Sequence, residues 1–117
     1  MHELSIVQSV VATVSEAMAG RERERIVSVR LRVGVLSGVV EGALQFGYEL
    51  ATEGTLLAGS RLEVATLPVV IYCKPCDQLV ELNGIQSFRC PHCGTPSGDV
   101  RQGRELDIES VEIEEAA

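Results

Sequence analysis

Four cysteines carry the clearest chemistry in this chain. They stand as Cys73-Lys74-Pro75-Cys76 and Cys90-Pro91-His92-Cys93, two C-x2-C pairs with 13 residues between them. Two intervening residues let one tight turn aim both sulfurs at a single ion. Two such turns supply four thiolates at tetrahedral corners, which suits zinc. The separation is slightly shorter than the usual spacing of about 15–20 residues. A shell of four thiolates leaves no position for a catalytic water, so the site reads as structural. Such coordination is worth on the order of 10–16 kcal/mol in small zinc domains, enough to fold a segment with little core. Two disulfides or a redox motif are the alternatives. Met1-His2-Glu3 is no basic signal-peptide start, so an oxidising compartment has no support. A thioredoxin-like site uses one C-x-x-C, not two joined by a hairpin.

Met1-His2-Glu3 is the second loaded segment. A bulky residue at position 2 should keep Met1 from being trimmed. The Met1 α-amine, the His2 backbone nitrogen and the His2 imidazole can then bind one metal as fused chelate rings. The Glu3 backbone nitrogen, or an outside group, can complete a square plane. Tetragonal nitrogen sites suit Ni(II) or Cu(II). The amine (reference pKa about 7.7–8.0) and the imidazole (about 6.5) must both lose protons, so binding should weaken in acid. On these letters alone, a solvated histidine and a first-turn acid that favours the helix dipole are the simpler account.

These residues need a scaffold. The chain has 117 residues, 45% of them hydrophobic but only 3% aromatic, so one small aliphatic core is expected. Leu4, Val7, Val11, Val14 and Met18 recur at helical spacing, and Gly20 is placed to end that helix. Val27, Val29, Leu31, Val33 and Val35 alternate with polar residues as a half-buried strand. Ser37-Gly38 marks a turn and a candidate cap. Leu44, Phe46, Leu50 and Ala51 indicate a second helix ending near Gly54. Arg61 to Ile71 reads as a second strand, with Leu62 and Val64 inward and an edge position or bend at Pro68. Leu79, Val80 and Leu82 before Asn83-Gly84 predict a hairpin with a type I′ turn, with Ile85 and Phe88 on the return arm. Leu106 and Ile108, then Val111 and Ile113, form a last strand whose phase slips by one residue, predicting a bulge near Glu109-Ser110. That strand should return to the first sheet. The expected fold is α+β: a small mixed three-stranded sheet with two helices, plus an inserted zinc-ribbon domain. Residues 1–70, completed by strand 104–114, form the first domain, and 71–103 form the ribbon.

Composition removes several functions. The net charge of −7 argues against binding a phosphate backbone, and Arg21, Arg23 and Arg25 are diluted by Glu22 and Glu24. No apolar run is long enough for a membrane span. No Ser-His-Asp or Cys-His grouping supports catalysis. A cytoplasmic, non-enzymatic protein is expected, without nucleic-acid or membrane partners.

The combination of an M-H-E start on an amphipathic helix, a valine-rich strand carrying Arg32-Val33-Gly34 and two C-x2-C knuckles before a short last strand resembles the HypA/HybF family of nickel metallochaperones. The resemblance runs from Met1 to about Ile113. It implies a nickel-binding domain and a separate structural zinc domain. It implies a HypB-type GTPase partner and a [NiFe]-hydrogenase large-subunit precursor as recipient of the Ni(2+). Some members also serve urease. Carried onto this sequence, His2 is the essential nickel ligand, with Met1 and Glu3 beside it, and Cys73, Cys76, Cys90 and Cys93 match the Zn(2+) ligands. There are departures. Position 40 is Val where some members place a carboxylate, and the nearest acid is Glu41. Asp77 and Gly94 stand where some members carry histidine just outside the knuckles. His92 lies inside a knuckle, where a solvent-facing or a pH-sensing histidine would fit. The competing reading is a zinc-ribbon adaptor that docks proteins and carries no transferable metal.

Overall fold

A computed structural model describes residues 3–115 of the chain. In chain order the elements are α1 (Glu3–Ala17), β1 (Glu24–Gly34), a 3-10 turn (Val35–Ser37), α2 (Glu41–Thr52), β2 (Arg61–Leu67), β3 (Val70–Cys73), β4 (Gln78–Glu81), β5 (Val100–Gln102) and β6 (Leu106–Glu115). They form two three-stranded sheets, one ordered β2-β1-β6 and one ordered β4-β3-β5. The class is α+β, and the last strand does rejoin the first sheet. The chain divides into two compact units, one of residues 3–31, 39–64 and 108–115, the other of 32–38 and 65–107.

In the helical unit, α1 buries Ile6, Val7, Val10 and Val14, with Met18 just beyond its end. The expected stripe was rotated: Leu4 is 47% exposed and Val11 half-buried. Spacing alone does not choose between adjacent stripes where Ile6, Val7, Val10 and Val11 are all apolar. Gly20 takes φ 84°, a left-handed conformation suited to leaving a helix. α2 buries Leu44, Gly47, Tyr48 and Thr52 and leaves Phe46 and Leu50 exposed. Gly47 is where α1 comes close, since a Cβ there would stand 3.2 Å from Val7 Cγ2. Gln45 donates Nε2–H to the Leu62 carbonyl at 2.8 Å, tying α2 to β2.

β1 departs from simple alternation. Ile26 and Ser28 are buried, then Val29, Leu31 and Val33, so Val27 is only half-buried and Val35 leaves the strand for the 3-10 turn. In β6, Glu109 and Ser110 are both exposed between half-buried Ile108 and Val111, so the alternation slips there as expected. Arg25 pairs with Glu114, Arg30 with Glu109 and Arg32 with Asp107. Partner numbers fall in β6 as they rise in β1, so the two strands run antiparallel. The pairs are exposed and add little stability. They do mark the register, which the hydrophobic pattern also specifies. Arg32 beside Asp107 holds that carboxyl below its ordinary range.

The second unit has no helix longer than the 3-10 turn among the described residues. The single strand expected over 61–71 is two strands. Pro68 ends the first, and β3 begins in a different sheet after it. The hairpin also lies elsewhere than expected. β3 pairs antiparallel with β4, Tyr72 opposite Leu79 and Cys73 opposite Gln78, so the first knuckle is itself the hairpin turn. Neither Asn83 nor Gly84 takes the positive φ that a type I′ turn requires, and residues 82–88 are irregular. β5 supplies the third strand against β3.

Candidate metal centre

The cysteines are positioned by β3 and by two turns of one design. Cys73 ends β3 and Cys76 lies in the turn to β4. Arg89 bridges Pro96 across the second turn, and the Cys90 N–H donates to the Thr95 carbonyl at 2.9 Å. After each knuckle comes a residue with left-handed backbone: Asp77 at φ 49° and Gly94 at φ 77°. There the Asp77 N–H donates to Lys74 O at 3.1 Å, and the Gly94 N–H to Cys90 O at 2.8 Å. Asp77 and Gly94 stand out in the sequence only as departures from the histidines of some family members; their part in closing the two turns is a finding of the structure. The signal available was their shared position directly after each C-x2-C. Asp77 is a non-glycine in this conformation, and its carboxylate accepts the Tyr72 hydroxyl at 2.5 Å. The Tyr72 ring lies under Arg101, whose guanidinium carbon is 5.1 Å from the ring centroid.

The result is a cluster of four sulfurs all within 4.8 Å of one another. Cys73 and Cys93 Sγ are 3.5 Å apart, Cys76 and Cys90 Sγ 3.9 Å, and none is in a disulfide. A zinc tetrahedron with bonds of about 2.3 Å has sulfur–sulfur edges of about 3.8 Å. The donor set therefore fits zinc in number, softness and spacing. Cys73 and Cys90 are buried within a core of Val69, Ile71, Val80 and Leu82, against which Leu36, Cys76, Phe88 and Val100 pack. Cys93 is the exposed corner.

The thiols cannot all ionise together without a cation. Hydrogen bonds with Cys93 and then Cys73 push the Cys76 thiol up to about 12. The hydrogen bond with the Thr95 hydroxyl, 3.2 Å from the sulfur, leads the causes that bring Cys93 down to about 6. At Cys73 the Cys76 backbone N–H pulls downward, but burial and the Cys93 and Cys90 sulfurs outweigh it and raise the thiol. Zinc binding near neutral pH should then expel about two protons or more, with Cys73 and Cys76 among the sources. Calorimetry in buffers of different ionisation enthalpy reads that number, and a value near zero would contradict this proton inventory.

The residues expected at the chain start fall differently. Met1 and His2 lie outside the described residues. Glu3 opens α1, and its Oε2 accepts the Val40 N–H at 3.2 Å, at the start of α2. Glu41 stands exposed in the first turn of α2. His92 is exposed, and its backbone N–H points to Cys90 Sγ at 3.4 Å.

With that geometry in hand, the comparisons with known proteins are consistent with one another. A family model described as hydrogenase/urease nickel incorporation, metallochaperone, hypA, matches residues 1–113. A hydrogenase maturation factor HypA of Roseiflexus sp. (strain RS-1) is 44% identical over 115 residues, covering 98% of this chain and 94% of that protein. One of Chloroflexus aurantiacus is 45% identical over 112 residues, covering 96% and 98%. The solution structure of the Ni metallochaperone HypA from Helicobacter pylori shares the fold, with a TM-score of 0.64, 24% identity and full coverage of both chains. A second solution structure, of a HypA protein, gives a TM-score of 0.67 at 24% identity, covering 97% of each chain. Nickel incorporation is a carrier's task and not a catalytic one, and on these matches the chain belongs to the HypA family of hydrogenase and urease nickel metallochaperones.

Proposed function

We propose that this chain takes Ni(II) at Met1, His2 and Glu3 and passes it to the large-subunit precursor of a [NiFe]-hydrogenase. A HypB-type GTPase is the working partner and the cytoplasm the setting. The observation that carries this reading is the reach of the family match, which starts at residue 1 and so includes the Met1-His2-Glu3 start. Chelate chemistry supports it. An amine, an imidazole and backbone amides form a nitrogen plane suited to Ni(II). Nitrogen donors exchange with an incoming ligand one at a time, which suits an ion that has to be handed on.

The cysteines have the opposite character. Cys73, Cys76, Cys90 and Cys93 would hold zinc, which supplies the cross-link that shapes the ribbon. Four soft donors close its shell and leave no position for hand-over. On this reading residues 1–70 with 104–114 serve as the nickel-binding domain and 71–103 as the zinc ribbon.

Nickel titration of tag-free, zinc-loaded protein should show one saturable event. His2→Ala should abolish it while zinc content and far-UV circular dichroism stay unchanged. One residue added before Met1 moves the amine out of chelating reach but spares the imidazole, and should lower affinity sharply. Unchanged affinity in the extended protein would mean that side chains hold the ion. No saturable event at all would favour the zinc-ribbon adaptor.

A further inference from the structure

α2 begins without a cap of its own. Val40 occupies the N-cap position with extended backbone, and no side-chain cap bond is made there by its apolar group. Helices usually start at Ser, Thr, Asp or Asn, whose side-chain oxygen accepts one of the unpaired first-turn N–H groups. Here an acceptor arrives from another helix. Glu3 Oε2 takes the Val40 N–H at 3.2 Å, although the two residues are 37 positions apart.

A second contact holds the same two helices together. At Gly47 a Cβ would meet Val7 Cγ2 at 3.2 Å and the Leu4 Cα at 3.8 Å. Glu3 thus faces the start of α2 while Leu4 and Val7 face its middle. Glu3, the first described residue, is therefore held to α2 by its own side chain, with Leu4 and Val7 packed on α2 at Gly47 beside it.

We infer that Glu3 is a positioning residue whose carboxylate anchors the nickel-binding arm to the amino end of α2 and does not ligate the ion. This rests on the terminal nickel site proposed above. The helix dipole favours the carboxylate where it stands, so leaving to join a metal would cost that interaction. The nitrogen plane needs no side-chain oxygen: the amine, the His2 amide, the imidazole and the Glu3 amide complete it. What the anchor contributes is pre-organisation, since an arm with fewer conformations loses less entropy when it closes on an ion.

The test uses full-length zinc-loaded protein and Ni(II). Glu3→Gln retains a side-chain oxygen for the Val40 N–H and removes the carboxylate. Glu3→Ala removes the acceptor. Nickel affinity should stay within about threefold in Glu3→Gln and fall about five- to tenfold in Glu3→Ala. Hydrogen exchange at the Val40 amide should stay slow in the first variant and speed up in the second. If Glu3→Gln loses nickel as badly as Glu3→Ala while Val40 stays protected, the carboxylate is a ligand and the inference is wrong. It is equally wrong if Glu3→Ala changes neither reading. His2→Ala, run alongside, separates the two levels. Full affinity in that variant sinks the terminal site and the positioning role with it. Full affinity in Glu3→Ala alone, with His2→Ala blind to nickel, sinks only the anchor.

Discussion

Stripping the metal from the four-cysteine cluster should unfold residues 65–107 and leave α1 and α2 intact. The sulfurs are part of the core they organise: Cys73 is 0% and Cys90 1% exposed, packed with Val69, Ile71, Val80 and Leu82. Around them are strands of only four, four and three residues. Three strands this short are marginal in water. On the zinc assignment proposed above, ligation at about 10–16 kcal/mol is as large as the whole contribution of this small aliphatic cluster, at about 1.5–3 kcal/mol per buried side chain. The ordering entropy of the segment consumes the latter. After chelation at neutral pH, the amides of Tyr72, Val80 and Cys90 should exchange rapidly. Those of Val10, Val14 and Leu44 should stay slow, and added zinc should restore the rest. Persistent protection of β3 after metal analysis shows none left would overturn this. The corners should differ. Cys73→Ser, at a buried corner, should resemble full stripping. Cys93→Ser, at the exposed corner, should leave a weakened three-thiolate site.

Gly34→Ala should cost about 3 kcal/mol or more, read as a lower urea midpoint. A Cβ at Gly34 would lie 2.1 Å from both the carbonyl carbon and oxygen of Gly103, and 2.6 Å from the Arg104 nitrogen. All three are backbone atoms, so no side chain can swing aside. Two hydrogen bonds fasten the same crossing, Gly34 N–H to Glu105 O and Leu36 N–H to Gly103 O, both 2.8 Å. Separating the strands breaks them. Gly42→Ala is the control. Nothing lies within 4 Å of its Cβ, and it sits in the first turn of α2, where alanine should stabilise by about 0.5–1 kcal/mol. A neutral Gly34→Ala would mean that the backbone there yields easily.

What could be read from the letters divides by how local the cause is. Two residues between cysteines constrain a turn whatever surrounds it, so the four-sulfur cluster was visible in the spacing. The helices were visible in their apolar period and in Gly20 and Gly54, both of which take positive φ. The hairpin was misplaced because Asn83-Gly84 is a turn signal in isolation, and the β3–β4 ladder across the first knuckle overrode it. Pro68 was legible as a break, but not the switch of sheet that follows, which depends on which strands β3 meets. The Gly34–Gly103 crossing and the Glu3–Val40 bond join residues distant in sequence. No periodicity reports such pairs. Gly34 belongs to the Arg32-Val33-Gly34 pattern of the family resemblance, and its physical reason appears only with Gly103 beside it.

The outer position of β6 has a consequence for how this protein behaves when concentrated. In the order β2-β1-β6 it is a border strand, and from Leu106 to Glu115 it carries five acids and no basic residue. Its neighbour β1 brings the arginines, so within one molecule the charges match. Two copies meeting border to border would set acid against acid along the ladder, which discourages the strand pairing that seeds fibrils. That safeguard is written in carboxylates alone. Repulsion fades as pH falls toward the isoelectric point near 4.8 while the unpaired backbone edge stays, so mild acid is the condition under which this protein becomes liable to aggregate. Stronger acid leaves Arg25, Arg30 and Arg32 positive and restores repulsion.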